Sequence, residues 1–123
     1  MSISRERRAM MVGQRFSEAT LVDAILRSLN YQPGVFAWRM ETSGSVRPRQ
    51  GGGFFMVRNR YGRGKPDIAG CKEGHGFVIE VKKPGEKAKP HQAEWMADYE
   101  ARGGGKATVA HSVDEALNFI ASV

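Results

Sequence analysis

The segment FVIEVK, from Phe77 to Lys82, constrains the fold of this chain more than any other stretch. It is rich in β-branched and aromatic residues and is soon followed by Pro84-Gly85, a pattern typical of a buried strand that ends in a turn. A helical pattern comes next, and then the β-rich run KATVAH from Lys106 to His111. Strand, helix and strand in this order predict a right-handed crossover that sets the two strands parallel in one sheet.

The first half of the chain predicts one helix and three strands. Ser17 is an N-cap residue type, and apolar side chains then recur at helical spacing as far as Asn30. Segments rich in β-formers or bounded by turn residues predict strands at 35–41, 54–60 and 66–70. We expect the first two of these strands to pair antiparallel across the Gly- and Arg-rich loop at 44–53.

After the Pro-Gly turn, Pro90 suits the first turn of a second helix. The side chains of its core-facing stripe fall at i, i+3, i+4 and i+7 and are Gln92, Trp95, Met96 and Tyr99. Ser112 and Glu115 match a capping box for a last helix. The order α-β-β-β-β-α-β-α predicts an α/β fold, with a mixed sheet flanked by helices.

The chain has 123 residues, near the commonest size for one domain, and it shows no internal repeat. We expect a single domain at 16–123, preceded by a basic arm at 1–15. No apolar run approaches the roughly 18 residues of a membrane span, and the start of the chain lacks an apolar secretory segment. A cytoplasmic protein is therefore expected. Cys71 is the single cysteine, which excludes an internal disulfide and a multi-cysteine zinc site.

Glu80 and Lys82 interrupt the apolar strand on one of its two faces. Side chains alternate along a strand, so Phe77, Ile79 and Val81 share one face while Glu80 and Lys82 share the other. If a helix covers that second face, burial of an unpaired carboxylate or ammonium is costly. The pattern therefore predicts a partner or a cation beside Glu80.

Asp67 is the nearest partner for Glu80, because its short strand precedes FVIEVK and can pair with it. Two neighbouring carboxylates repel each other, and a divalent cation held between them removes that repulsion. Carboxylate, backbone carbonyl and water oxygens are the ligands that Mg²⁺ or Mn²⁺ prefers. We predict such a metal site from Asp67, Glu80 and the backbone carbonyl of Val81.

Two predicted helices carry a polar residue where their core-facing stripe begins. Glu18 opens the stripe of the first helix, and Gln92 opens that of the second. Both placements are explained if the helix N-termini overlook the metal site. Glu18 would then add a carboxylate, directly or through water, and Gln92 would orient a water or a phosphate.

Each of these residues also has an ordinary structural interpretation. A Glu and a Lys two positions apart can form a solvated strand face, and Pro-Asp is often a turn. Glu18 can complement its helix dipole, and Gln92 can be a surface residue. Taken singly these interpretations are favoured, but the joint occurrence of all the residues in one order favours a site.

The spacing of Pro66-Asp67, Glu80 and Lys82 matches P-D-x12-E-x-K and resembles the PD-(D/E)xK nuclease superfamily. With RGKPDIAG, a Glu in the preceding helix and FVIEVKKPG, the chain is more specifically similar to stand-alone VRR-NUC domains of phages and bacteria. The resemblance spans roughly residues 17–112. It implies a restriction-endonuclease-like fold and a metal-dependent DNA endonuclease, often a homodimer, acting on branched DNA such as Holliday junctions. The residues that match its motif positions are Glu18, Asp67, Glu80, Lys82 and Gln92.

The most basic part of the chain lies between Glu41 and Asp67, where no acidic residue occurs. Arg and Lys suit phosphate contacts and glycines allow close backbone approach, so this segment predicts a DNA clamp; a flexible solvated loop is the alternative. Trp38, Trp95 and Tyr99 are expected in the core rather than as base-stacking platforms. With the lysines that follow the FVIEVK strand, the predicted DNA contacts are Arg58, Arg60, Arg63, Lys65, Lys83 and Lys87.

These patterns together predict an endonuclease that hydrolyses DNA with Mg²⁺ or Mn²⁺. Carboxylates that hold a cation stabilise charge on the phosphate, and the Lys82 ammonium can position the attacking water or help deprotonate it. A non-catalytic nucleic-acid-binding module is an alternative, since a net charge of +6 gives salt-sensitive affinity for DNA. A restriction-type nuclease on linear duplex is another, because the superfamily shares the same catalytic residues.

Overall fold

The structure is a computed structural model, and it describes residues 17–40, 45–57 and 64–123. Within those ranges the helices are α1 Glu18–Asn30, α2 Pro90–Ala101 and α3 Val113–Ala121. The strands in the same ranges are β1 Val35–Arg39, β2 Ser45–Pro48, β3 Phe54–Val57, β4 Ile68–Lys72, β5 His75–Val81 and β6 Lys106–Ala110. The predicted basic arm at 1–15 lies outside the described residues.

The order of the elements confirms the predicted α-β-β-β-β-α-β-α series and adds one short strand, β2. The main sheet has the strand order β1-β4-β5-β6. Strand β4 runs antiparallel to both β1 and β5, whereas β5 and β6 are parallel. Because α2 connects β5 to β6, the predicted parallel pairing of these strands and the mixed sheet are confirmed, and the right-handedness of the crossover stays a prediction.

The predicted antiparallel pairing of 35–41 with 54–60 is wrong. β1 pairs with β4, and β3 pairs with β2 in a separate two-stranded sheet. The turn of this hairpin is tight, because the Arg49 N–H donates to the Gly53 carbonyl at 2.9 Å and Gly51, Gly52 and Gly53 all adopt positive φ. Neighbouring segments lose less chain entropy on pairing than distant ones, which favours the local partner for β3.

Helices cover both faces of the main sheet. α1 and α3 pack on the face that carries Phe77, Ile79 and Val81, which are all fully buried. α2 packs on the other face, where Met96 lies against Val78. Full burial of each such apolar side chain contributes about 1.5–3 kcal/mol to the stability of the fold. Packing on both faces of the sheet therefore stabilises β5.

The aromatic side chains divide between the core and the surface. Trp95 and Tyr99 of α2 stack with 5.5 Å between ring centroids and pack against the buried residues of their face, as predicted. The core position predicted for Trp38 is wrong, because Trp38 is 45% exposed. It lies on β1, the outer strand of the described sheet, where a side chain has fewer neighbours to pack against.

Side chains fix both ends of α1. At its start, the Ser17 hydroxyl accepts a hydrogen bond from the Thr20 N–H at 3.1 Å. At its end, Asn30 bonds the backbone of Ala37 twice, donating to the carbonyl at 3.0 Å and accepting from the N–H at 2.9 Å. These bonds join the C-terminal end of α1 to β1, which fixes where the opposite end, with Glu18, lies relative to the sheet.

β5 and the turn before β6 approach each other closely at two glycines. Gly105 has a φ of +126°, and a Cβ there would collide with the carbonyl oxygen of Gly76. Gly103 also has a positive φ, +82°, but a Cβ there would meet nothing within 4 Å. The two positions therefore differ in steric room, and Gly105 also has the φ that is less accessible to other residues.

We expect Gly105→Ala to lower the free energy of unfolding by about 1–3 kcal/mol more than Gly103→Ala. Both variants carry the cost of a positive φ, but only Gly105→Ala must also push β5 away from the turn. Urea unfolding followed by circular dichroism measures the difference. Equal losses in the two variants would show that this approach tolerates a methyl group.

Candidate active site

Three carboxyl groups from distant parts of the chain meet at one end of the main sheet. Asp67 directly precedes β4, Glu80 is the last residue but one of β5, and Glu18 is the first residue of α1. One carboxylate oxygen from each lies within 4.8 Å of those of the other two. We call these three residues the carboxylate cluster.

Strand register brings Asp67 beside Glu80. Ile68 pairs with Ile79 in the antiparallel ladder, so the next residues outward, Asp67 and Glu80, face each other. The Val81 N–H donates to Asp67 Oδ2 at 2.9 Å, and the Asp67 carbonyl accepts from the Met40 N–H at 2.7 Å. Asp67 is thus held through its side chain by β5 and through its backbone by the chain that leaves β1.

Glu80 is the most strongly perturbed member of the cluster. It is only 2% exposed, and its Oε2 has no hydrogen-bond partner among the residues that the structure describes. Burial raises the pKa of Glu80 from 4.5 to about 9, and a hydrogen bond and the negative charge of Asp67 act in the same direction. The positive charge of Lys82 lowers this pKa, but it does not outweigh burial. Without a cation, Glu80 therefore carries a proton at neutral pH.

The cluster fits a divalent cation on chemical grounds. A buried carboxyl oxygen without a partner is costly, and a cation bound by several carboxylate oxygens satisfies it. The ligand atoms are all oxygens, which are the ligands of hard divalent cations. The predicted ligation by the Val81 carbonyl stays a prediction, since the contact that the structure gives Val81 at the cluster is its N–H bond to Asp67.

Lys82 follows β5 directly and is 7% exposed. Its N–H donates to the Ala110 carbonyl at 3.1 Å, which continues the pairing of β5 with β6 and fixes the backbone at this position. Strand alternation places its side chain on the same face as Glu80, as the sequence predicted. A buried ammonium beside the carboxylate cluster partly offsets the negative charge gathered there.

Gln92 lies half-buried in the first turn of α2. Its Oε1 accepts a hydrogen bond from the Lys89 N–H at 2.8 Å, so the side chain caps the helix. This helix-capping contact of Gln92 was not among the roles predicted for it from the sequence. Its predicted role toward a water or a phosphate stays a prediction.

The predicted DNA contacts fall on both sides of the cluster. Lys65 is half-buried and lies two residues before Asp67. Lys83 and Lys87 are exposed on the segment that links β5 to α2. The remaining predicted contacts lie outside the described residues and are Arg58, Arg60 and Arg63.

His111 is a supporting residue that the sequence analysis missed. Its Nε2 lies 2.7 Å from the Glu86 carbonyl oxygen and its Nδ1 lies 3.0 Å from Glu115 Oε2, so it ties the segment carrying Lys83 and Lys87 to α3. Both partners are acceptors, which favours the doubly protonated ring, and the bond to Glu86 is the main cause of its raised pKa. The four-residue spacing of His111 and Glu115 indicates their contact in the sequence. No local pattern indicates the contact of His111 with Glu86.

Comparisons with known proteins identify the fold. No family model and no curated protein matches the chain. A solved structure described as a VRR_NUC domain superimposes on it with a TM-score of 0.57, covering 86% of this chain and 97% of the other. The chain has a VRR_NUC fold. This confirms the fold expected from the spacing of Asp67, Glu80 and Lys82.

The two VRR_NUC folds share 18% sequence identity, so the likeness establishes architecture, and the chemistry of the site depends on its own geometry. Among the described residues, no helix is long and apolar enough to cross a membrane.

Glu80→Gln is expected to remove a pH dependence of stability in the metal-free chain. Because the pKa of Glu80 is raised to about 9, the folded state keeps a proton that the unfolded state releases above pH 4.5. The stability of the wild type therefore falls as the pH rises between these two values, and the variant lacks this fall. We expect the gap between their melting temperatures to change by about 5 °C or more.

Thermal unfolding in EDTA at a series of pH values measures this gap. Glu94→Gln, at an exposed position on α2, is the control for loss of a carboxylate outside the cluster. Parallel curves for the wild type and Glu80→Gln would contradict the raised pKa.

Proposed function

We propose that this chain is an endodeoxyribonuclease that hydrolyses DNA phosphodiester bonds with Mg²⁺ or Mn²⁺. The observation that carries the proposal is the buried Glu80 carboxyl, whose Oε2 has no hydrogen-bond partner among the described residues and which lies within reach of Asp67 and Glu18. An unpartnered carboxyl oxygen close to two further carboxyl groups forms with them a set of oxygen donors that would suit a hard divalent cation. The VRR_NUC fold and the buried ammonium of Lys82 support the same conclusion.

Each residue of the site has a separate task in this chemistry. The carboxylate cluster would hold a divalent cation, which would supply electrostatic stabilisation of the charge that develops on the phosphate. Asp67 would be one of the ligands, and the Val81 N–H orients its carboxylate by donating to Oδ2. Glu80 would hold a cation in its deprotonated form, and because its pKa is raised we expect metal affinity to rise with pH.

Lys82 is the residue assigned to the attacking water and the scissile phosphate. An ammonium group donates hydrogen bonds and cannot accept them. It is therefore suited to orient a water or a phosphate oxygen and to neutralise developing negative charge. Low exposure strengthens this interaction, because less water screens it. Gln92, at the N-terminus of α2, is assigned a supporting contact to the same water or phosphate.

DNA binding is assigned to the basic residues around the cluster. Those in the described ranges are Lys65, Lys83 and Lys87, and the chain as a whole carries a net charge of +6. Contacts of lysine and arginine with phosphates release counterions, so affinity falls as salt rises. These contacts position the duplex without reading its sequence.

Lys82→Ala and Glu80→Gln are expected to slow cleavage by at least roughly 100-fold and to leave DNA affinity nearly unchanged. Each variant removes a group that acts on the reacting phosphate, while the surface lysines that bind DNA remain. Single-turnover cleavage and fluorescence anisotropy on one labelled DNA measure the two effects. Lys106→Ala is the matched control, because it removes the same charge from an exposed position at the opposite end of β5 and β6. Full activity in either site variant would refute the assignment.

We expect a homodimer that cleaves a four-way DNA junction faster than linear duplex, by roughly tenfold, or ~1.4 kcal/mol of preferential transition-state binding. Symmetric cleavage of a junction needs two active sites, which a two-fold dimer supplies. A panel of duplex, flap, Y-form and four-way junction DNAs with Mg²⁺, Mn²⁺ or EDTA measures the preference, and sedimentation measures the oligomeric state.

Other outcomes of the panel identify the alternatives. Discrete fragments from linear duplex would favour a restriction-type enzyme. Binding that is equal in EDTA and Mg²⁺ and never leads to cleavage would favour a non-catalytic module. A monomer that cleaves junctions symmetrically at full rate would contradict the dimer.

A further inference from the structure

Two neighbouring aromatic side chains on β1 are exposed. Phe36 is 69% exposed and Trp38 is 45% exposed. They lie two residues apart on one strand, so they share a face of the sheet, and their ring centroids are 6.0 Å apart with the planes inclined at 52°. Adjacent exposed aromatic rings of this size mark a surface suited to a ligand. We call Phe36 and Trp38 the aromatic pair.

The aromatic pair lies on the same face of the sheet as the carboxylate cluster. Trp38 pairs directly with Ala69, and side chains that pair directly across an antiparallel ladder share a face. Asp67 precedes Ala69 by two residues and therefore points to that face as well. The Met40 N–H, two residues beyond Trp38, bonds the Asp67 carbonyl at 2.7 Å. Trp38 is thus roughly 7 Å from the site along the strand direction.

The basic character of the chain as a whole favours a polyanionic ligand for the aromatic pair over an apolar protein surface. The chain carries a net charge of +6, and Lys65 lies two residues before Asp67 on the approach to the cluster. A nucleic-acid strand combines phosphates for the lysines and the cluster with planar bases for the rings. The lysines and the carboxylate cluster therefore suit the phosphate of a nucleotide, and the aromatic pair suits its base.

We propose that the aromatic pair is a stacking platform for an unpaired base of DNA next to the scissile phosphate. The inference depends on the proposed nuclease function for the location of that phosphate. Since the two rings are inclined at 52°, one base lies flat on only one of them, and the larger face of Trp38 takes that role while Phe36 contacts the edge of the base. Bases inside a duplex are already stacked, so the platform selects DNA with unpaired bases near the cut.

Trp38 fluorescence tests this directly and without cleavage. The probe is a short oligothymidylate in EDTA, and the comparison is between the wild type and Trp38→Phe, which retains Trp95 as the common background. We expect saturable quenching in the wild type and its loss in Trp38→Phe. Absence of quenching in the wild type would overturn the inference, whether or not the chain cleaves DNA.

Affinity supplies the second measurement, on two labelled duplexes that differ only in an unpaired overhang. We expect Trp38→Ala to weaken binding of the overhang duplex by roughly 5- to 100-fold and to leave the blunt duplex unchanged. Trp38→Phe should retain part of the affinity. Tyr31→Ala is the control, because Tyr31 is 86% exposed and lies at the end of α1 away from Glu18.

The remaining outcomes separate this inference from its rivals. Equal loss on both duplexes would overturn the platform, and so would a change from dimer to monomer in Trp38→Ala, which would make this face an interface between copies. Cleavage of blunt duplex without Trp38 quenching leaves the nuclease proposal standing and removes the platform. Quenching of Trp38 without cleavage in any metal would support the platform and would contradict the nuclease proposal.

Discussion

The burial of the Glu80 carboxyl beside that of Asp67 is the interaction on which the rest of this structure depends. Two acidic groups placed together away from water repel each other when charged, so the metal-free protein keeps a proton on Glu80. A protein core tolerates such a group only with a partner or an ion. The cost of burying these two carboxyl groups together is lower when one of them is protonated.

Contacts with several elements of the fold hold the Glu80 and Asp67 carboxyl groups in place. β5 is packed on one face by α1 and α3 and on the other by α2, so its last residues cannot withdraw from the cluster. The ladder to β4 sets Asp67 opposite Glu80, and the bond from Lys82 to Ala110 ties the end of β5 to β6. The free energy that supports the cluster therefore comes from ordinary apolar burial elsewhere in the sheet.

Local sequence signals predicted the parts of this structure that depend on local interactions. Caps such as Ser17 mark the helices, and the tight turn between β4 and β5 makes the spacing of Asp67 and Glu80 a direct guide to their contact. The partner of β1 and the exposure of Trp38 depend on which strand takes the edge of the sheet, which no short window encodes. The same holds for the contact of His111 with Glu86, 25 residues earlier in the chain.

One carboxylate of the cluster, that of Glu18, comes from the first described helix, and the other two come from the hairpin of β4 and β5. On a ribosome, Glu18 is synthesised well before Asp67 and Glu80, and the β6 strand that supports Lys82 is synthesised after all three. An unfinished polypeptide therefore carries these acidic residues before the fold brings them together. The carboxylate cluster therefore has its full set of supporting contacts only when synthesis has passed β6.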